Sequence, residues 1–123
     1  MENSSLKISK PFSSLSFLID ADIPWEVVDD KVQRRIVGYD PDLMIVKYKF
    51  RKGGIGALHQ HIHSQSAVVM RGVFELTING QKKILKAGDG YMVDPNLLHR
   101  ALCLEDRILL DAFNPVWEEW LKE

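Results

Sequence analysis

The chain of 123 residues has a single cysteine, Cys103, which excludes an intramolecular disulfide framework and fits a reducing compartment. It has no apolar run near the roughly 18 residues of a membrane span, so no membrane partner is expected. Residues 1–10 mix charge and serine where a secretion signal needs an apolar segment, which leads to the expectation of a cytoplasmic protein. Neither sign of charge dominates: 16 Lys and Arg stand against 17 Asp and Glu, for a net charge of -1. A basic footprint for nucleic acid is therefore missing. Internal repeats and low-complexity tracts are missing too, and the length suits one core but not two.

Short alternating runs fill most of the chain. After a polar arm over residues 1–16, the remainder, 17–123, reads as one domain. From Leu43 onward Met44, Val46, Tyr48 and Phe50 alternate with Ile45, Lys47 and Lys49, the period of a half-buried strand. Gly53-Gly54-Ile55-Gly56 breaks that run, and a second passes through the histidines to Ala67-Val68-Val69-Met70, ending at Gly72. Phe74, Leu76 and Ile78 form a third. Asn79-Gly80 is the strongest short hairpin signal, because a type I′ turn needs positive φ at both central residues. Ile84 and Leu85 lie on the return strand, Tyr91-Met92-Val93 follow Gly88-Asp89-Gly90, and Asp94-Pro95-Asn96 is a turn by composition. Residues 100–104 and 107–113 read as a last pair joined at Glu105-Asp106. Many short strands with regular turns predict an all-β sandwich or barrel.

One helix is predicted, over 115–122. Asn114 suits its cap, Pro115 its first position, and Glu118 and Glu119 the positive end of its dipole. Trp117, Trp120 and Leu121, at i, i+3 and i+4, give it an apolar face toward the barrel.

Four histidines fall between positions 59 and 99, three of them in His59-Gln60-His61-Ile62-His63. On an extended strand, imidazoles at i and i+2 share a face and lie roughly 6–7 Å apart. His59 and His61 can then reach one ion through bonds of about 2.0–2.1 Å. His63 shares their parity and is read as a neighbour of the site.

Taken with its glycines, the segment Gly53, His59, His61, Gln65, Gly72 has the spacing of the first cupin motif, with glutamine where glutamate is usual. Gly88, Pro95 and His99 resemble the second motif, with the proline one place late and Asn96 where a glycine is common. The chain thus resembles a single-domain cupin, which implies a double-stranded β-helix, or jelly-roll barrel, over about 35–113.

A narrower resemblance is to the pectin-degradation cupins of the KdgF type. It is carried by Ile23-Pro24-Trp25-Glu26, Arg34-Arg35-Ile36, Leu43-Met44, the histidine segment through Gln65, and Asp111-Ala112-Phe113-Asn114-Pro115. That family promotes conversion of 4,5-unsaturated monouronates to the linear keto form. The resemblance implies His59, His61, Gln65 and His99 as ligands of one divalent transition metal (Ni, Zn, Mn, Fe or Co), and Asp111 and Phe113 as catalytic residues. The family often carries an arginine where this chain has Trp117.

Three neutral imidazoles and an amide oxygen leave a divalent ion its full charge, which favours Lewis-acid work over the two-His-one-carboxylate chemistry of iron oxygenases. Asp111 is read as the proton shuttle and Phe113 as a wall of the pocket. Arg34 or Arg35 is the candidate partner of a uronate carboxylate, and Tyr91 a further substrate contact. The alternatives are another small metallo-cupin, a dioxygenase or isomerase, or a sugar-acid-binding cupin without turnover. A homodimer is expected.

Overall fold

The computed structural model of the chain describes residues 13–59 and 61–121, and the side chains of all of these except 57–59. Most of the expected arm, 1–12, lies outside the described residues. Residues 13–16 form no strand. Ser14 ties this segment to the sheet: its N–H donates to the Tyr39 carbonyl at 2.9 Å and its Oγ accepts from the Tyr39 N–H at 3.1 Å.

The strands are β1 (Glu26–Asp29), β2 (Val32–Asp40), β3 (Leu43–Phe50), β4 (Ile55–His59), β5 (Ser64–Ile78), β6 (Gln81–Lys86), β7 (Gly90–Val93) and β8 (His99–Asn114). All pairings are antiparallel. β5 and β8 pair along nearly their whole lengths, from Ser64↔Asn114 to Ile78↔His99. The first half of β5 and the second half of β8 carry β7 on one side and β3, β2 and β1 on the other. The remaining halves carry β6 and β4. Two sheets sharing two bent strands make the jelly-roll barrel that the cupin resemblance implies.

The strand boundaries differ from the sequence expectation in two ways. Gly72 and Glu105-Asp106 do not end strands: β5 and β8 run straight through them. The register shifts between Val69 and Phe74 explain why. Gln65, Ala67 and Val69 face the core before the bulge, and Phe74 and Leu76 after it. Since one residue of slip exchanges the two faces of a strand, the bulge is what keeps apolar side chains inward on both halves. Residues 26–40 also form two strands before the first one expected. Val32–Asp40 hides its period because an arginine occupies an inward position and a bulge between Ile36 and Gly38 breaks the alternation.

Asn79 (φ 48°) and Gly80 (φ 84°) build the expected type I′ turn between Ile78 and Gln81. Asn96, where the motif commonly has a glycine, takes φ 66°, which asparagine tolerates. One core cluster contains Phe50, Val69, Phe74, Leu76, Cys103 and Leu109, with Phe50 and Phe74 in edge-to-face contact at 5.2 Å. A second contains Met44, Val46, Phe113, Val116 and Leu121. Cys103 is buried in the first of these clusters, where it packs as a small apolar side chain.

The helix expected over 115–122 is replaced by a 3-10 turn, Glu118–Leu121; Lys122 lies outside the described residues. Asn114 is not a cap but the last residue of β8, and its side-chain amide donates to the Asp42 carbonyl. The Val116 N–H donates to the Pro41 carbonyl at 3.2 Å, which ties the segment after β8 to the β2–β3 turn. Leu121 is still buried, and Trp117 and Trp120 pack on the second core cluster.

Gly72 combines φ +89° with a site where a Cβ would stand 2.7 Å from both Arg107 Cβ and the Glu105 carbonyl. Gly80 has φ +84° but nothing within 4 Å. Gly80→Ala is expected to cost about 1–2 kcal/mol, the left-handed penalty alone. Gly72→Ala should cost clearly more, by urea unfolding; equal costs would mean that the close approach of β8 is not what holds this bend.

Candidate active site in the barrel

Cross-strand register puts the site together. Arg34 pairs with Tyr48, Tyr48 with Leu109, and Leu109 with Val69. The next inward rung is Val46, Asp111, Ala67 and Tyr91, and the next is Met44, Phe113, Gln65 and Val93. Because side chains two apart share a face, Arg34, Tyr48, Asp111, Tyr91, Gln65 and Phe113 all line one cavity of about 400 Å³. That volume is typical of small-molecule sites.

Parity separates the two candidate arginines. Arg34 faces the cavity and ion-pairs with Glu26 at 3.2 Å. Arg35 points away: it bonds Asp20 at 2.6 Å and lies 4.1 Å over the Trp25 ring on the outer side. Arg35 does not line this cavity. Tyr48, Trp117 and Trp120 join the lining, although their periodicity alone assigns them to core. What would reveal them is the pairing partner of each, which no single strand carries.

The histidines gather at the start of β5 and β8. β4 stops at His59, so His61 is not on the same strand; it sits in the connection to β5. His59 is in backbone register with His99, and its side chain lies outside the described residues. The His61 carbonyl accepts from the Asn96 N–H at 2.7 Å, which pins the first histidine segment to the turn before His99. The His61 and His99 rings lie 4.8 Å apart between centroids.

Each of these rings has its Nδ1 on a backbone carbonyl: His61 on His63 at 3.0 Å, and His99 on Leu97 at 2.9 Å. A carbonyl only accepts, so both Nδ1 atoms carry hydrogen and Nε2 is the lone-pair nitrogen of each neutral ring. Gln65 is oriented in the same way. Its Nε2 donates to Asp111 Oδ2 at 2.7 Å, which turns its Oε1 toward His61 Nε2 at 3.1 Å. A proton on the imidazole, or a cation between the two acceptors, would satisfy that contact. The donor set therefore fits a divalent ion, and carbonyls behind ligand imidazoles are the usual support of such sites. Among the described residues no three His, Cys, Asp or Glu side chains form such a set by themselves. The described donors are two imidazoles and an amide. His63 stands aside, its Nε2 3.3 Å from the Val116 carbonyl and its ring stacked on Trp117.

Asp111 is 4% exposed, and burial raises its carboxyl from 3.8 to about 7, with the Gln65 hydrogen bond opposing. Its Oδ1 is buried with no protein partner. Burial and the nearby Asp111 carboxylate push the Tyr48 and Tyr91 phenols up, so both stay protonated donors beside it.

The folded chain thus keeps the Asp111 proton while the unfolded chain has already lost it. For metal-free protein, the contribution of this group is greatest below about 4, declines as pH rises to about 7, and is level above. The cumulative cost is on the order of 4 kcal/mol. Urea unfolding in chelator at several pH values should show this decline, and Asp111→Asn should flatten it; an unchanged pH slope in the variant would show that Asp111 is charged throughout.

The family model described as a cupin domain matches residues 46–110. The chain is 43% identical over 107 residues to the pectin degradation protein KdgF of Dickeya dadantii (strain 3937), covering 85% of this chain and 97% of that protein. Among solved structures, it is similar to an RmlC-like cupin from Shewanella frigidimarina, with a TM-score of 0.87, 34% identity, and 89% and 99% of the two chains covered. It is likewise similar to KdgF from a Halomonas species, with a TM-score of 0.84, 38% identity, and 86% and 100% covered. The barrel, the two spaced histidine motifs and these matches agree: the chain belongs to the cupin family, in the branch that KdgF represents.

Proposed function

We propose that the protein is a metal-dependent enzyme of pectin or alginate breakdown that promotes conversion of 4,5-unsaturated monouronates to their linear keto form. The observation that carries this reading is the Gln65 bridge. One carboxamide faces the His61 lone pair and holds the buried carboxyl of Asp111, so a cation site and a proton carrier adjoin in one small cavity. The identity with KdgF over most of both chains supports the substrate class.

His59, His61, Gln65 and His99 would hold the divalent ion, Ni, Zn, Mn, Fe or Co. When bound, it supplies Lewis acidity toward a substrate oxygen. The rest falls to the chain's own residues. An open-chain unsaturated uronate is an enol, which becomes a ketone when a C–H bond forms at carbon and the enol O–H proton leaves. Protonated Asp111 gives its proton to that carbon, and the resulting carboxylate collects the one released from oxygen, so the enzyme ends as it began. Gln65 fixes Oδ2, and Oδ1 is the oxygen left to move the proton. Burial favours the protonated form from which that exchange starts. Phe113 and Tyr91 wall the cavity and limit water, and the Arg34 guanidinium receives the uronate carboxylate. The expected homodimer is supported by exposed Leu15, Phe17 and Ile19 before β1 and Val27 on it.

The test is loss of the conjugated enol-ether absorbance on adding protein to an unsaturated monouronate. His99→Ala should lower metal content and rate together, and full activity without metal would remove the mechanism. Asp111→Asn should keep its metal while the rate falls by about 10²-fold or more; a variant that keeps both makes Asp111 structural. Binding of the acid without any change in absorbance would identify a sensor, and oxygen uptake a dioxygenase.

A further inference from the structure

Four planar groups make a chain of stacking contacts along the cavity. The Arg34 guanidinium carbon lies 4.0 Å over the Trp120 ring. Trp120 stacks on Trp117, with centroids 4.9 Å apart and planes 12° from parallel. Trp117 stacks on His63 at 3.7 Å and 11°. The His63 carbonyl in turn accepts from His61 Nδ1 at 3.0 Å. The 3-10 turn Glu118–Leu121 therefore connects the cavity arginine to the backbone that orients a histidine of the cluster. Arg34, Trp117 and Trp120 all line the cavity.

Arg34 donates a hydrogen bond to the Tyr48 hydroxyl, and two further contacts hold it. Glu26 occupies Nε at 3.2 Å, and the indole lies against the guanidinium group. What a ligand can meet is the Nη edge, whose paired N–H groups match a carboxylate in bidentate fashion. An arginine so constrained loses less rotamer freedom on binding than a free one, and that saving appears as affinity for the acid. A cation–π contact of about 0.5–2 kcal/mol corresponds to roughly 2- to 30-fold in such a preference.

We propose that Trp120 is a positioning and specificity-determining residue: through this stack it fixes the Arg34 guanidinium at the cavity wall and so sets the preference for an acidic over a neutral monosaccharide. The proposal rests on Arg34 as the carboxylate partner, and its test is kept apart from ketonisation by using saturated sugars, which have no enol to convert.

Titration calorimetry of the full chain with D-galacturonate and D-galactose reads it out. The wild type binds the acid more tightly. Trp120→Leu weakens galacturonate by about tenfold and leaves galactose within about twofold, with metal content unchanged. Trp120→Phe, which restores a ring face, recovers most of the loss. Arg34→Gln abolishes the preference, and adding Trp120→Leu to it costs nothing more. Should Trp120→Leu fail to fold, Arg34→Lys decides: charge without a stacked plane should lose the preference, and its retention overturns the proposal. A wild type that binds both sugars alike or neither, a Trp120→Leu that weakens both equally or neither, Phe and Leu variants that behave alike, or additive Arg34 and Trp120 effects would each overturn it as well. Absence of ketonisation with these titrations as expected would refute the enzymatic reading and leave this one standing.

Discussion

β5 and β8 pair over nearly all of their length, and both sheets of the barrel hang on that pair. The constraint it imposes is geometric. Two long strands bonded end to end bend together or not at all, so the bulge at Gly72 and the approach of Arg107 are one feature seen from two strands. The bend lets the same two strands contribute to both sheets, and the register shift lets both halves turn apolar side chains inward. The site residues on these two strands are placed by their distance along the pair: Gln65 and Phe113 on one rung, Asp111 on the next, and His99 where β8 begins.

Chemistry concentrates where that scaffold is least apolar. Gln65 is the hinge of the site, because an amide is the one neutral side chain that can offer a carbonyl to one neighbour and an N–H to another. One N–H goes to Asp111 and the acceptor side faces His61. A glutamate at this position would set a second carboxylate beside a buried one, and like charges at such range hold a proton between them. Glutamine leaves a single titrating carboxyl, with two protonated phenols nearby. The electrostatic division is plain: lone pairs gather at the histidine end, and donors at the Arg34 and Tyr48 wall.

The C-terminal segment shows how local signals and tertiary contacts compete. Asn114-Pro115 followed by two glutamates has the composition of a helix start, yet β8 and the Asp42 carbonyl claim Asn114, and the Pro41 carbonyl claims the Val116 N–H. Its apolar residues nevertheless reach the core and the cavity, because Trp117, Trp120 and Leu121 are carried inward by burial whichever helix type joins them. Hydrophobic demand is a property of the side chains, whereas a helix start depends on where the preceding strand ends and whether a cap is available.

By itself the sequence determined the strand period from Leu43, the Asn79-Gly80 turn, and the two motifs that bring His61, Gln65 and His99 together. These are local matters of side-chain alternation, backbone sterics and spacing, all of which can be read along one strand. Only the tertiary structure decided that Arg34 faces the cavity while Arg35 faces Asp20, that Tyr48 is a wall of the site, that Gly72 bends a strand without ending it, and that Trp120 lies under a guanidinium. Each of those depends on which residue stands across from which. Cross-strand register is fixed by the sum of many pairings and bulges far apart in the chain, and no window of sequence contains it.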